Sequence, residues 1–216
     1  MKQKKSLQNL RENYSKGGLT EDTLLTNPME MFEAWINDAI KSQVPEPNAM
    51  IISTLSSDGF PTGRVVLLKD IIDGDFIFYT NYESAKAKEI THHEKVSITF
   101  LWKEIERQVR INGICHKVSE DISNAYFKKR PRGSQIGAWV SPQSKIITNR
   151  AFLEERKSQF EEQFKNQKDI PKPPNWGGFA VKPHVIEFWQ GRPSRLHDRL
   201  RYTLENEHWK IRRLAP

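Results

Sequence analysis

Three stretches of the 216-residue chain hold side chains whose types and spacing could do chemistry. One runs Ile186-Glu187-Phe188-Trp189-Gln190-Gly191-Arg192-Pro193-Ser194-Arg195-Leu196-His197-Asp198-Arg199. In a regular strand alternate side chains share a face, so Arg195, His197 and Arg199 would aim two guanidiniums and an imidazole at one region. Such a grouping is unfavourable unless something anionic or π-rich lies opposite. Trp189 and Phe188 face opposite ways, which offers a flat surface to a ring on one side. Asp198 would point away from the cations. The plainer alternative is an Arg/Asp surface network around a satisfied histidine.

The second stretch is Tyr126-Phe127-Lys128-Lys129-Arg130-Pro131-Arg132-Gly133-Ser134. Here a helix end runs into a turn carrying guanidinium forks, a phenol and a hydroxyl, groups that can cradle a phosphate monoester. A solvated basic patch or a nucleic-acid contact would look similar. The third is Arg64-Val65-Val66-Leu67-Leu68-Lys69, an apolar strand bracketed by two cations. Strand alternation puts Arg64 and Lys69 on opposite faces, where they would serve different anions or simply end the strand at its solvated rims.

Other groups carry less. His92-His93 has no Cys or carboxylate at metal-ligand spacing and reads as a surface pair, so no metal is expected. The single cysteine, Cys115, excludes an intrachain disulfide framework, fits a reducing compartment and reads as a core thiol. No Gly-rich phosphate loop, GxSxG elbow or catalytic-Cys motif is present. The net charge of +7 favours an anionic partner without choosing among them. From the residues alone the ligand is phosphorylated and flat.

These groups need a scaffold. Asn27-Pro28-Met29-Glu30 supplies a cap, a first-turn proline and a glutamate, and Met31, Phe32, Trp35, Ile36, Ala39 and Ile40 follow at helical spacing. The period then changes. Strands are expected at 49–55, 63–69, from Phe76 to Tyr79, 96–102 and 108–118, with turns at Ser57-Asp58-Gly59 and Asp73-Gly74-Asp75. Short helices are expected at 84–91 and 121–129, and a charged amphipathic helix at 149–166. Pro171-Lys172-Pro173-Pro174 reads as a rigid linker, and 178–214 as two or three more strands. The fold class is α+β, mainly β: an antiparallel barrel with peripheral helices. Residues 1–25 form a mobile N-terminal arm with a short helix, and 26–216 a single domain. The basic N-terminus is followed by polar residues, and no long apolar run occurs, so a cytoplasmic protein with no membrane partner is expected.

The same segments resemble the pyridoxamine (pyridoxine) 5′-phosphate oxidase family over nearly the whole chain. The resemblance is carried by Leu10-Arg11-Glu12-Asn13-Tyr14 with Lys16-Gly17-Gly18-Leu19, by Arg64–Lys69, by Phe78-Tyr79-Thr80-Asn81 and by Glu106-Arg107-Gln108-Val109. It continues through 130–139, Trp176-Gly177-Gly178-Phe179, the Glu187–Arg199 segment and the ending Arg213-Leu214-Ala215-Pro216. It implies an FMN-binding split β-barrel and a homodimer with FMN at the subunit interface. It also implies oxidation of pyridoxamine and pyridoxine 5′-phosphates by O2 to pyridoxal 5′-phosphate, with release of hydrogen peroxide and, from the amine, ammonia. By that likeness Arg64, Val65, Val66, Leu67, Leu68, Lys69, Tyr79, Thr80, Lys86, Gln108, Gln143, Ser144, Trp189 and Arg199 bind FMN. Lys69, Tyr126, Arg130 and Ser134 hold the substrate phosphate. Arg195 and His197 border the reacting carbon, and the Arg11–Tyr14 arm closes over the pocket.

Four positions depart from the family pattern. Ala85 stands where an Arg often precedes the Lys, Glu12 and Asn13 replace an Arg-Glu pair, and Glu46 replaces a shorter acid. A related flavoprotein acting on a phenazine precursor has no use for the full set Lys69, Tyr126, Arg130 and Ser134. Intact Arg195 and His197 speak against a non-catalytic carrier. No recognition motif supports a nucleic-acid binder.

Overall fold

A computed structural model of the chain describes residues 6–10 and 12–216. These residues group into two compact units. One comprises the described residues up to Asn48, with Thr99–Ile111 and His184–Pro216; the other comprises Ala49–Ile98 and Asn112–Pro183.

In the first unit, α1 (Pro28–Lys41) begins where the local signals put it, with the Asn27 side chain accepting from the Met29 N–H at 2.9 Å. It buries Met31, Phe32, Trp35 and Ala39. Phe32 meets Phe100 and Trp102, and Trp35 meets Phe188 edge-on. Each such side chain contributes roughly 1.5–3 kcal/mol on burial. Ile40, expected on that stripe, is 55 % exposed; each step of four residues overshoots a full turn, so Ile36 and Ile40 drift off the buried face. Strands β7 (Trp176–Gln190), β8 (Asp198–Glu205) and β9 (His208–Leu214) form an antiparallel meander, where two or three strands were expected of the tail.

The N-terminal segment is fastened to this unit from Ser15 onward. The backbone N–H groups of Ser15 and Lys16 both donate to the Glu106 carboxylate, at 2.8 and 2.9 Å. Leu19 is buried, and the Tyr202 hydroxyl donates to the Leu25 carbonyl. The short helix expected of the arm takes the form of two 3-10 turns, Leu7–Asn9 and Glu21–Thr23.

The second unit holds β1 (Ala49–Leu55), β2 (Pro61–Leu67), β3 (Asp70–Ile72) and β4 (Asp75–Asn81), with parts of β5 (Lys95–Trp102), β6 (Arg107–Lys117) and β7. The strand order is β2-β1-β5-β6-β7-β4-β3. Hairpins close where the turn residues predict. Asp73 and Gly74 both take positive φ (52° and 85°), the requirement of a two-residue turn between twisted strands. The strand expected over 63–69 ends at Leu67, because the chain bends at Leu68-Lys69 before β3. Lys69 therefore falls outside the alternation that was to set it opposite Arg64.

Helices α2 (Ala85–His92) and α3 (Glu120–Lys129) are capped by Ser84 and Ser119. A helix not expected, α4 (Arg132–Val140), follows Pro131, so the turn read into 130–134 is instead a one-proline break between two helices. α5 (Arg150–Gln163) starts on an Asn149 cap and stops short of Asn166. Phe127, Ile136, Val140, Phe164, Ile170 and Trp176 form the apolar cluster beneath these helices.

The segment 171–174 is packed rather than a linker. Pro173 is buried, Trp139 Nε1 donates to the Pro171 carbonyl, and Lys172 Nζ donates to the Trp176 carbonyl at 2.8 Å. Among the described residues no helix is long and apolar enough to cross a membrane.

Candidate active site

In the second unit the residues read as phosphate-friendly converge on a cleft of about 590 Å³. Its wall includes Val65, Val66 and Leu67 from β2, Lys69 from the bend, and Tyr79 and Thr80 from β4. Lys86 comes from α2, Tyr126 from α3, Arg130 from the proline break, Ser134 from α4 and Gln143 from the loop after it. Lys129, Asn81 and Trp176 also line it. None of these three was singled out, although Lys129 stands inside the basic run and Trp176 opens a quoted motif.

Three aromatic rings form one wall. Tyr79 stacks on Tyr126 with centroids 4.0 Å apart and on Trp176 at 5.4 Å. The Arg130 guanidinium lies 4.6 Å over Trp176, and its Nη1 is buried without a hydrogen-bond partner. A buried N–H with no acceptor costs of order 1–3 kcal/mol, so this atom calls for an anion. Burial lowers the Arg130 pKa, partly offset by Tyr126. Burial raises Tyr79 to about 12, and the nearby Asp70 adds to the rise, so its phenol remains a neutral donor. Burial likewise raises Tyr126, against the pull of Arg130.

Lys86 is the second cation of the cleft, and it is buried. Its Nζ donates to Thr80 Oγ1 at 3.2 Å, and Thr80 donates to Gln143 Oε1 at 3.0 Å. Desolvation pushes the Lys86 pKa down, with Arg64 adding to the fall and Glu89 opposing it. Arg64 itself is turned to Glu89, Thr54 and Thr62. Leu68 is buried, and Ser144 is exposed with a φ of 69°; neither is among the residues lining the cleft. Arg132 does not join the cradle: its guanidinium donates to the carbonyls of Phe164 and Gln167 at the end of α5.

The first unit carries the other group. Tyr14, Gln108 and Trp189 line a smaller cavity of about 200 Å³. The rings of Tyr14, Trp189 and His197 meet pairwise, with centroids 5.7, 5.5 and 4.6 Å apart. Gly191 is required beside them, because a Cβ there would come within 2.8 Å of the Tyr14 ring. His197 Nδ1 accepts from the Arg192 N–H at 3.1 Å, which leaves a neutral ring's proton on Nε2. Desolvation lowers the His197 pKa, as does Arg195, with Asp198 opposing.

The shared strand parity of Arg195, His197 and Arg199 does not hold. Ser194 and Arg195 take φ of 57° and 65° in a tight turn, and β8 begins only at Asp198. Arg195 is exposed, while Arg199 forks onto Glu187 at 2.9 Å and donates to the Ala215 carbonyl. Asp198, expected to point away, accepts from Leu19 N–H and Arg213 and pairs with Arg192. Arg11 lies outside the described residues.

The family described as pyridoxamine 5′-phosphate oxidase matches residues 36–190, and the pyridoxine 5′-phosphate oxidase C-terminal dimerisation region matches 176–216. The chain belongs to this family. A pyridoxine/pyridoxamine 5′-phosphate oxidase of Synechocystis sp. is 52% identical over 98% of each chain. One from Salinibacter ruber is 45% identical, covering 97% of this chain and 99% of its own. Among solved structures, PhzG from Burkholderia lata, in complex with tetrahydrophenazine-1-carboxylic acid, has a TM-score of 0.85 at 29% identity. It covers 90% of this chain and 95% of its own. An FMN-binding protein of Nostoc punctiforme shares the fold, with a TM-score of 0.69 at 17% identity.

The fold is therefore the FMN-binding split β-barrel, and membership brings FMN as cofactor, a homodimer, and an oxidation in vitamin B6 synthesis. The donor set fits a phosphorylated cofactor and a phosphorylated substrate. Two cations, the buried Lys86 and the half-buried Arg130, line one cleft, and the second carries a buried, unpaired N–H.

Proposed function

We propose that the chain oxidises pyridoxamine and pyridoxine 5′-phosphates to pyridoxal 5′-phosphate with O2 as acceptor, as a cytoplasmic homodimer with FMN at the subunit interface. The observation that carries the substrate class is the buried Arg130 Nη1 beside the Tyr79–Tyr126–Trp176 stack. A phosphate monoester would satisfy the guanidinium where an apolar ligand could not. Bound FMN supplies hydride acceptance from the substrate's 4′ carbon and its own reoxidation by O2, yielding hydrogen peroxide.

The chain's residues do the rest. Arg130, Lys69, Tyr126 and Ser134 clamp the substrate phosphate and fix the ring's orientation, which converts binding into reactive geometry. Lys86, Thr80 and Gln143, with Arg64, hold the cofactor phosphate end, while Val65, Val66, Leu67 and Tyr79 line its length; Leu68 and Ser144 support this wall without lining the cleft. Gln108, Trp189 and Arg199 serve the flavin ring. Arg195 guides the amine or hydroxyl of the substrate, and His197, neutral with its proton on Nε2, keeps that place in shape. From the amine, hydrolysis of the oxidised product releases ammonia. Tyr14, with Arg11 before it, closes over the ring.

The likeness to PhzG raises a second substrate, a flat tricyclic acid. Such a ligand carries no phosphate monoester for Arg130, Lys69 and Ser134. One experiment separates the readings: pyridoxamine 5′-phosphate is added to the yellow protein in air-free buffer. The proposal expects bleaching that oxygen reverses. A protein that stays yellow lacks this activity.

A further inference from the structure

Helix α2 sets two opposite charges close together. Lys86, near its start, lines the cleft. Glu89 follows three residues later on the same side of the helix. Its Oε2 accepts from Arg64 Nη2 at 2.9 Å, from Thr62 Oγ1 at 3.0 Å and from Thr54 Oγ1. The Arg64 and Glu89 side chains are only 24% and 13% exposed, so the pair is partly withdrawn from solvent screening. Burial pushes the Glu89 carboxyl up, but the hydrogen bonds from Thr54, Thr62 and Arg64 outweigh it and keep the group ionised.

We propose that Glu89 is a charge-countering residue that weakens this chain's grip on the phosphate of FMN. The inference rests on the reading that Arg64 and Lys86 serve that phosphate. Two cations and one fixed carboxylate leave a single net positive charge for a phosphate that carries up to two negative ones. Ala85, next to Lys86, adds none. The carboxylate already occupies Arg64, so an arriving phosphate must share that guanidinium and sit near a like charge. Replacing Glu89 by glutamine keeps an acceptor for Arg64 and the two threonines while removing the charge.

The test follows flavin fluorescence as the full-length holoenzyme is diluted, for the wild type and Glu89→Gln, loaded with FMN or with riboflavin. Removing one like charge in a partly desolvated setting should tighten FMN roughly three- to tenfold. Riboflavin, which lacks the phosphate, should be held equally by both proteins. FMN affinity that is unchanged or weaker in Glu89→Gln overturns the inference, as does equal tightening of both flavins. Wild-type protein that releases all its FMN at every concentration overturns the cofactor reading itself, and the inference with it.

Discussion

Arg156 Nε donates to the carbonyl of Val140 at 2.8 Å, and its Nη2 to that of Trp139, so the middle of α5 closes the last turn of α4. Arg132, in the first turn of α4, returns the arrangement onto the Phe164 and Gln167 carbonyls at the end of α5. The Arg156 guanidinium answers carbonyls that the end of α4 leaves without helical partners, and Arg132 ties down the chain just past α5. Because α4 carries Ser134 and leads into Gln143, Arg156→Met should loosen the cleft. Charge-assisted bonds of this kind are worth about 1.5–3 kcal/mol. Denaturant unfolding should show a loss of that order, and Arg156→Lys should recover part of it.

Replacing Arg130 by methionine should raise KM for pyridoxamine 5′-phosphate roughly a hundredfold, the equivalent of about 2–3 kcal/mol of charge-assisted binding. FMN content should stay the same, since in the proposed arrangement Lys86 rather than Arg130 serves that end. Steady-state kinetics alongside the flavin spectrum reads both quantities. An unchanged KM would remove Arg130 from the phosphate clamp.

Arg195→Leu should keep FMN and lose turnover by at least about tenfold, corresponding to 1.4 kcal/mol or more in the barrier. The side chain is exposed on a strained turn and has no part in the buried core. A thermal melt matching wild type would assign the loss to chemistry rather than folding.

The pH profile should follow His197. Desolvation and Arg195 hold its pKa below the ordinary 6.5, so the neutral ring persists on the acid side of that value. If activity needs the neutral form, kcat/KM should stay level down to below pH 6.5 and fall only as the ring protonates. His197→Asn should remove that limb. A wild-type limb centred above pH 6.5 would contradict the assignment.

Ala85→Arg should tighten FMN several-fold by adding a cation beside Lys86, the equivalent of about 1 kcal/mol for a charge at a solvent-screened position. Ala85 is exposed at the start of α2, so the longer side chain has room. Fluorescence titration with FMN, repeated in higher salt, measures it.

Local signals carried much of the fold into view. The Asn27-Pro28 cap and the Asp73-Gly74 turn each act over a few residues, and each reads correctly. What stayed hidden depends on distant partners. Gly133 and Gly137 make the α4 segment a poor helix in isolation; it forms with Arg156 at its end and Phe127, Phe164 and Trp176 beneath. The prolines of 171–174 suggested stiffness, while their packing depends on Trp139 and Lys172. At the site, Tyr126, Arg130, Ser134 and Lys69 were legible as phosphate-binding types, and the structure gathers them. The parity argument at Arg195 failed because nothing in residue type announces two consecutive left-handed backbone conformations.

The proposed reaction releases hydrogen peroxide, and its maker is the first molecule exposed to that oxidant. Cys115 is 4% exposed, and burial pushes its thiol pKa far up. Peroxide attacks thiolates, and this sulfur is held protonated and out of reach. Met31 and Met50 are sealed in the cores of their units as well. The packing that shapes these cores thereby protects three sulfur atoms from the enzyme's own product, turnover after turnover.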